Sequence, residues 1–416
     1  MFSLKKENNI LKIKLFGLKI KISLSFGKII IKNFKFLVTL FDYILPKDNN
    51  KIVFLLFPGQ ENKTDAFYNY IKNNHHEIKC IRLVEHIEKI KNKNDLLPFY
   101  SFKAFWHLYT SKYVVISVTG FVDYIKSKRH VGINLWHGMP IKTIGVNADF
   151  EKSAVKSLKY VGKYFKTFAT SDIFRTIMAS SFMAKYNDVY ITGLPITDTI
   201  FSNDKNNIIE NSLNIKKYDK IITYVPTFKS KAFSYGNQIE HTFNNIFYFD
   251  DYNNERFVQF LEEQNILFIT KPHPLDEELY KENQCKLPNS SNFKLLYNDD
   301  FQKLNIDLYD LFKYTDLMIS DFSSTTLDFL ILNKPVIYLN NLSEEFAQNR
   351  GFILSDNYEI FMPGHQVNNY STLEDKIKIC LYNDDTIELR KRLLNLTHKY
   401  RDDKASERIF EIIKGL

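Results

Sequence analysis

The feature that most constrains this chain is an alternation that begins near residue 50. Short, near-continuous apolar runs rich in Ile, Val, Leu and Phe alternate with stretches of helical period. KIVFLLF is followed by DAFYNYIKNN, then come HEIKCIRLV, KYVVISV, GINLW, FKTFATS and DVYITG. A second series opens at KIITYVPT and continues through ILFITKPHP, FKLLYN, LMISDFSS and PVIYLN. A strand that is apolar on both sides must be covered on both sides, which means a parallel sheet between layers of helices. Two series therefore predict two doubly wound α/β domains, with the Asn-, Asp- and Lys-rich stretch 196–219 as the boundary. The 416 residues, 44% of them hydrophobic, suffice for two such cores. The expected organisation is 49–197 for the first domain and 198–416 for the second, preceded by a basic segment, 1–48.

That segment carries the charge. Residues 1–47 hold ten lysines against Glu7 and Asp42, an excess equal to the +8 of the whole chain, so the remainder is neutral. A body without net charge argues against nucleic-acid binding. LKIKLFG and LKIKISLSF alternate apolar and polar residues about Gly17, which predicts two short strands and a turn. Residues 29–45 then read as a helix closed by Pro46. No apolar run is long enough to span a bilayer and no secretory signal is evident. Lysines interleaved with Ile, Leu and Phe suit the surface of an anionic leaflet, so the segment is expected to lie on a membrane. The competing expectation is a hairpin that guards a sheet edge. Cys80, Cys285 and Cys380 are widely spaced and odd in number, which excludes a disulfide framework and fits a reducing, cytoplasmic setting.

In doubly wound folds, ligands sit at the carboxyl ends of the strands. Two of the ten histidines stand there. His137 lies in NLWHGMPIKTIG, and His273 lies in FITKPHPLDEE between two prolines that fix the backbone. Histidine suits a general base near neutral pH, its free pKa being about 6.5. In LMISDFSSTTLDFLIL, Ser323, Ser324, Thr325 and Thr326 gather between a strand and a helical run, where free N–H groups and the helix dipole favour a phosphate. Ordinary capping is the alternative, and it would also account for Asp321. Asp328 reads as a helix-surface residue. Thr227 and Lys229 follow the first strand of the second series, Lys271 precedes His273, and Arg350 stands in NRGFIL. GLPITD reads as a hinge, and Pro363–Gly364 as a turn. No H-E-x-x-H, P-loop or dinucleotide fingerprint occurs, and no metal site is expected.

Taken in order, WHGMPIKTIG, GLPITD, YVPTFK, KPHP, SDFSSTTLDFLILNKPVIYL, RGF and MPGH resemble the CDP-glycerol glycerophosphotransferases, builders of teichoic acids and related phosphopolyol capsules. The resemblance covers roughly residues 130 to 365. It implies a GT-B fold of two facing Rossmann-like domains, with the CDP-activated donor held mainly by the second and no further cofactor. It implies His137 and His273 as catalytic residues. Ser323, Ser324, Thr325, Lys271, Thr227, Lys229, Asp321 and Arg350 form the donor side. Three positions depart from the family pattern. Met139 stands where the family has Thr, GLPITD lacks an Arg, and Phe228–Lys229 replaces Trp-Arg.

The expected activity is transfer of glycerol phosphate from CDP-glycerol to a hydroxyl of a lipid-linked or polymeric glycan, on the inner face of the membrane. CDP-ribitol is the alternative donor. A GT-B glycosyltransferase using a nucleotide sugar and a non-catalytic assembly factor are the rival classes.

Overall fold

The computed structural model describes residues 2–7, 10–15, 18–23, 35–57, 61–87, 94–148, 155–202, 206–227, 243–340 and 351–416. The chain divides into two compact units. The first comprises 1–136 with 164–166 and 413–416, and the second comprises 137–163 with 167–412.

The N-terminal residues form three strands, not the expected two. These are β1 (Phe2–Glu7), β2 (Ile10–Leu15) and β3 (Leu18–Ser23), an antiparallel sheet of their own. FSLKKE alternates too briefly to announce β1. It becomes a strand by pairing residue for residue with β2, from Phe2 opposite Leu15 to Glu7 opposite Ile10. Helix α1 (Lys35–Ile44) follows and stops short of Pro46, as expected. The earlier part of the expected helix lies outside the described residues. No helix among the described residues is long and apolar enough to cross a membrane.

The first large sheet contains β4 (Asp48–Leu56), β5 (Lys79–Val84), β6 (Leu96–Pro98), β7 (Ser111–Ile116), β8 (Val131–Asn134), β9 (Phe165–Ala169) and β10 (Val189–Ile191). Its order is β10-β9-β8-β7-β4-β5-β6, and β4 lies parallel to both β5 and β7. Val53 and Phe54 on β4 are both fully buried although they point to opposite faces, the reason this strand reads as an unbroken apolar run. Helix α2 (Phe102–Thr110) begins where Ser101 caps the backbone N–H of Ala104 at 3.1 Å.

The stretch expected to be a boundary is largely helical. Pro195 opens α3 (Pro195–Phe201), and α4 (Asn206–Leu213) follows. Ile209, Leu213 and Ile215 pack with Ile221, Leu267 and Ile269, so helically spaced apolar residues outweigh the polar composition.

The second sheet, all parallel, has the order β13-β12-β11-β14-β15-β16. Its strands are β11 (Lys220–Val225), β12 (Ile266–Thr270), β13 (Phe293–Leu295), β14 (Leu317–Ser320), β15 (Val336–Leu339) and β16 (His365–Val367). Alternation along β11 and β12 sends Ile222, Tyr224 and Phe268 into one core, and Ile221, Leu267 and Ile269 into the other. The chain runs outward from β11 to β13, then returns to start β14 on the other side of β11. The switch point therefore lies between β11 and β14, and its carboxyl edge is where this topology makes a crevice.

Candidate functional site

Three loops leave that edge together. Tyr224 lies opposite Thr270, and Val225 opposite Ser320, so the loops after β11, β12 and β14 emerge at one level. With neighbouring strands about 4.8 Å apart, the loops after β12 and β14 start about 10 Å from each other.

Asp321, the first residue past β14, does not cap the following helix. Its carboxylate reaches across the switch point and accepts the backbone N–H of Thr227 at 2.9 and 3.1 Å and the Thr227 hydroxyl at 2.8 Å. Both residues are buried. One residue earlier, the Ser320 hydroxyl donates to the carbonyl of Val225 at 2.5 Å. These bonds fasten the two loops, so Asp321 and Thr227 spend their polar groups chiefly on each other.

The hydroxyl run leads into α8 (Thr325–Phe329), continued by a single 3-10 turn to Leu332. Ser323, Ser324 and Thr325 are partly exposed, whereas Thr326 is buried and donates to the carbonyl of Ser323 at 2.8 Å. The Ser323 oxygen accepts the N–H of Thr325 at 3.4 Å, and Ser324 makes no capping bond. Capping thus falls to Ser323, and the Ser324 hydroxyl is not needed for it.

In the loop after β12, His273 is partly buried, and its Nδ1 accepts the backbone N–H of Leu275 at 3.2 Å. A ring nitrogen that accepts carries no proton, so in this arrangement the proton sits on Nε2, which can donate. Lys271 is buried behind it. Its ammonium donates to the carbonyl of Pro272 at 2.7 Å and lies 3.4 Å from Glu277 at the start of α5 (Glu277–Glu282). Glu277 also accepts the N–H of Asn298, which opens α6 (Asn298–Leu304). Lys271 therefore holds the Pro-His-Pro turn in place.

His137 arrives on a separate strap. Trp136 and Gly138 on either side have φ of +55° and +135°, a backbone path that turns sharply and that only glycine follows readily at the second position. Beyond it, Met139 and Ile141 are fully buried, so the Thr-to-Met departure places a core side chain and not a site group. Lys142 bridges antiparallel to Phe352. Thr143 N–H donates to the carbonyl of Gly351 at 3.1 Å, and Ile353 N–H donates to that of Ile141 at 2.9 Å. Phe352 packs on Phe322 with ring centres 5.3 Å apart, tying the strap to the hydroxyl loop. A Cβ on Gly138 would stand 3.5 Å from both Ser324 Oγ and Asp328 Oδ2. The strap that carries His137 thus meets the hydroxyl loop at Gly138.

Asp328 is not on a helix surface. It is buried and accepts the hydroxyl of Tyr309, from α7 (Leu308–Phe312), at 2.6 Å. A partner nineteen residues earlier in the chain leaves no local signal. Lys229 and Arg350 lie outside the described residues. In GLPITD, Ile196 is buried where the family has Arg. Asp198 accepts the N–H groups of Ala405 and Ser406 at 3.0 and 2.9 Å, at the start of α9 (Ala405–Lys414). Burial pushes the Asp198 carboxyl up to about 6, against the lowering effect of those bonds. Among the described residues no three His, Cys, Asp or Glu side chains are grouped to hold a metal.

The profile of the family described as CDP-glycerol:poly(glycerophosphate) glycerophosphotransferase matches residues 37–415. The teichoic acid glycerol-phosphate primase of Bacillus subtilis (strain 168) is 27% identical over 330 residues, 77% of this chain and 77% of that protein. The teichoic acid ribitol-phosphate polymerase TarL of Staphylococcus aureus (strain NCTC 8325 / PS 47) is 27% identical over 290 residues, 68% of this chain. The chain spans about half the length of that polymerase, 47%. Among solved structures, the wall teichoic acid polymerase TagF superposes with a TM-score of 0.74 at 18% identity, covering 94% of this chain and 96% of that one. A UDP-N-acetylglucosamine 2-epimerase from Listeria monocytogenes superposes with a TM-score of 0.54 at 11% identity, covering 88% and 96%. These likenesses establish the GT-B type of fold expected from the sequence.

Proposed function

Since the chain belongs to the CDP-glycerol:poly(glycerophosphate) glycerophosphotransferase family, we propose that it transfers glycerol phosphate from CDP-glycerol to a hydroxyl of a membrane-linked glycan or growing teichoic-acid-like polymer. The observation that carries this reading is the meeting of His137's strap with the Ser323–Thr325 loop, through Gly138 and Ser324, beside a switch-point edge that also bears His273.

In this reading His137 takes the proton of the attacking hydroxyl. The freed oxygen bonds to the glycerol-bearing phosphorus, the bond to the bridging oxygen breaks, and CMP leaves with the electron pair. The Nε2–H of His273 donates to the phosphate oxygens, and the hydroxyls of Ser323, Ser324 and Thr325 add further donors. Lys271, Asp321 and Thr227 keep these loops at fixed separation. Such positioning and charge stabilisation supply most of the rate enhancement in phosphoryl transfer. Lys229 and Arg350 belong to the same donor side. The acceptor is assigned to residues 49–197 and the donor to 198–416, with residues 1–48 apposed to the anionic inner face of the cell membrane.

Ribitol phosphate is the second reading, because ribitol-phosphate polymerases stand among the relatives. Incubation with CDP-glycerol or CDP-ribitol and a glycan acceptor tests both through released CMP. Acceptor-dependent CMP from one donor identifies the polyol. Release of a nucleoside diphosphate from a nucleotide sugar, with neither CDP-polyol turned over, overturns the proposal.

A further inference from the structure

The proposed transfer leaves a buried carboxylate beside the His137 strap without a task. Asp328 is 1% exposed, and its Oδ2 lies 3.5 Å from the point where a Cβ on Gly138 would stand. A Cα–Cβ bond adds about 1.5 Å and the connecting trans peptide about 3.8 Å, so the Cα of His137 is within about 9 Å of that oxygen. A histidine side chain turned towards it covers most of the gap.

The carboxylate is held in place. Tyr309 donates to the same Oδ2 at 2.6 Å, the separation of a charge-assisted bond between a hydroxyl and a carboxylate. Burial, and after it the negative charge of Asp328, push the Tyr309 phenol well above its ordinary value, so the phenol keeps its proton and Asp328 stays the acceptor. Tyr309 is itself fixed at the start of α7. Asp307 accepts the N–H groups of Tyr309 and Asp310 at 2.8 and 3.0 Å, and Asp310 accepts that of Asp307 at 2.9 Å. The Tyr309 ring packs on Phe312 at 5.3 Å, and Phe312 packs on Phe329 of α8 at 5.2 Å, so α7 and α8 hold donor and acceptor together. Other charges on the neighbouring elements are engaged elsewhere. Asp321 holds Thr227, Lys271 holds Pro272 and Glu277, and Asp307 and Asp310 hold the backbone of α7. The same elements add Lys142 on the strap and His273 after β12.

We propose that Asp328, set by Tyr309, is a positioning residue for His137: its charge fixes the orientation of the imidazole and stabilises the imidazolium formed when the ring takes the acceptor's proton. Asp328 stays ionised throughout. The inference rests on His137 as the base of the proposed transfer. At about 9 Å, in surroundings of intermediate polarity, one buried charge already moves a histidine by about one pH unit.

Full-length protein carrying isotope-labelled histidine is titrated by NMR, with His137→Gln identifying the signal of His137. Expected is a titration above the ordinary value of about 6.5, which falls by about one pH unit in Asp328→Asn. This measurement needs no substrate. In the transfer assay, Asp328→Asn should lower turnover about tenfold, leave CDP affinity unchanged, and move the acid limb of the pH–rate profile down by about one pH unit. A carboxylate that only supported the fold would cost active protein at every pH and leave that limb where it is. If wild-type His137 titrates below about 6.5, or at the same pH in both proteins, the pairing is wrong. The wild-type value decides even where Asp328→Asn does not fold. A shift of His137 as expected, with a turnover that does not follow it, would uphold the pairing and overturn the reading of His137 as the base.

Discussion

Asp321 gives the sharpest test of the site's construction. Replacing it with Ala removes a buried acceptor that holds one hydroxyl and one backbone N–H of Thr227. A hydrogen bond to a charged group contributes about 1.5–3 kcal/mol, and a buried N–H left without a partner costs about 1–3 kcal/mol. The expected loss is therefore about 3–5 kcal/mol. In a unit of this size that lowers the melting temperature by about 10 °C. Asp321→Asn retains one acceptor oxygen and should cost about 1–2 kcal/mol, and Thr227→Val, which deletes only the hydroxyl bond, about the same. Because the two residues share their bonds, the double variant should be less destabilised than the sum of the singles, with a coupling of at least ~1 kcal/mol. Thermal melts of the four proteins, read beside calorimetric titration with CDP, provide the measurement. An Asp321→Asn protein that melts like the wild type yet binds CDP more than tenfold weaker would refute the brace and make Asp321 a ligand.

Four further outcomes are expected. His137→Ala should lower turnover by about 10²–10⁴-fold with CDP affinity nearly unchanged, because a base acts on the acceptor; single-turnover kinetics and CDP titration check it. Ser324→Ala should weaken CDP binding while changing stability by less than ~0.5 kcal/mol, since Ser324 caps nothing, whereas Ser323→Ala should cost about 1 kcal/mol as well. The raised Asp198 carboxyl means that the folded state holds this proton more tightly than the unfolded chain. Its contribution is therefore complete below pH 4 and lost as pH rises through about 6, amounting to about 3 kcal/mol. Asp198→Asn should flatten that part of a denaturation-versus-pH curve. Finally, a chain beginning at residue 35 should keep its cooperative melt. One beginning at 49 should lose stability, because Asp42 and Lys47 go and leave His130 and the Ser127 N–H unpaired.

The sheets were readable because strands buried on both faces have no polar residue to interrupt them, as in Ile52 to Leu56 or Ile266 to Ile269. β6 and β16 escaped notice because they are three-residue edge strands containing Pro98 and His365, too short and too polar to carry a period. The loops that bear His137, His273 and Ser323–Thr325 were found from their position after strands. Their internal division of labour was not. Asp321 and Lys271 resemble ligands in the one-dimensional chain, but Thr227 lies 94 residues from Asp321, and only the switch-point topology makes them neighbours. Asp328 was misjudged for the same reason. Composition hides the helix within residues 196–219, where exposed Asn207 and Asn211 on α4 stand beside the buried Ile209 and Leu213.

The carboxylate of Asp198 waits for its partners. They are the backbone N–H groups of Ala405 and Ser406, more than two hundred residues downstream. Arg408 adds a bond to the carbonyl of Thr192, at 2.9 Å, in the same neighbourhood. On a ribosome moving at about 5–20 residues per second, that interval lasts about 10–40 s. For that time the start of α3 is made but cannot be closed, and the second sheet must assemble with a seam still open beside it. Helix α9 then closes that seam. Loss of residues 405–414, or a nonsense codon just before them, would leave a nascent protein whose second unit never seals and which quality control could recognise by that gap.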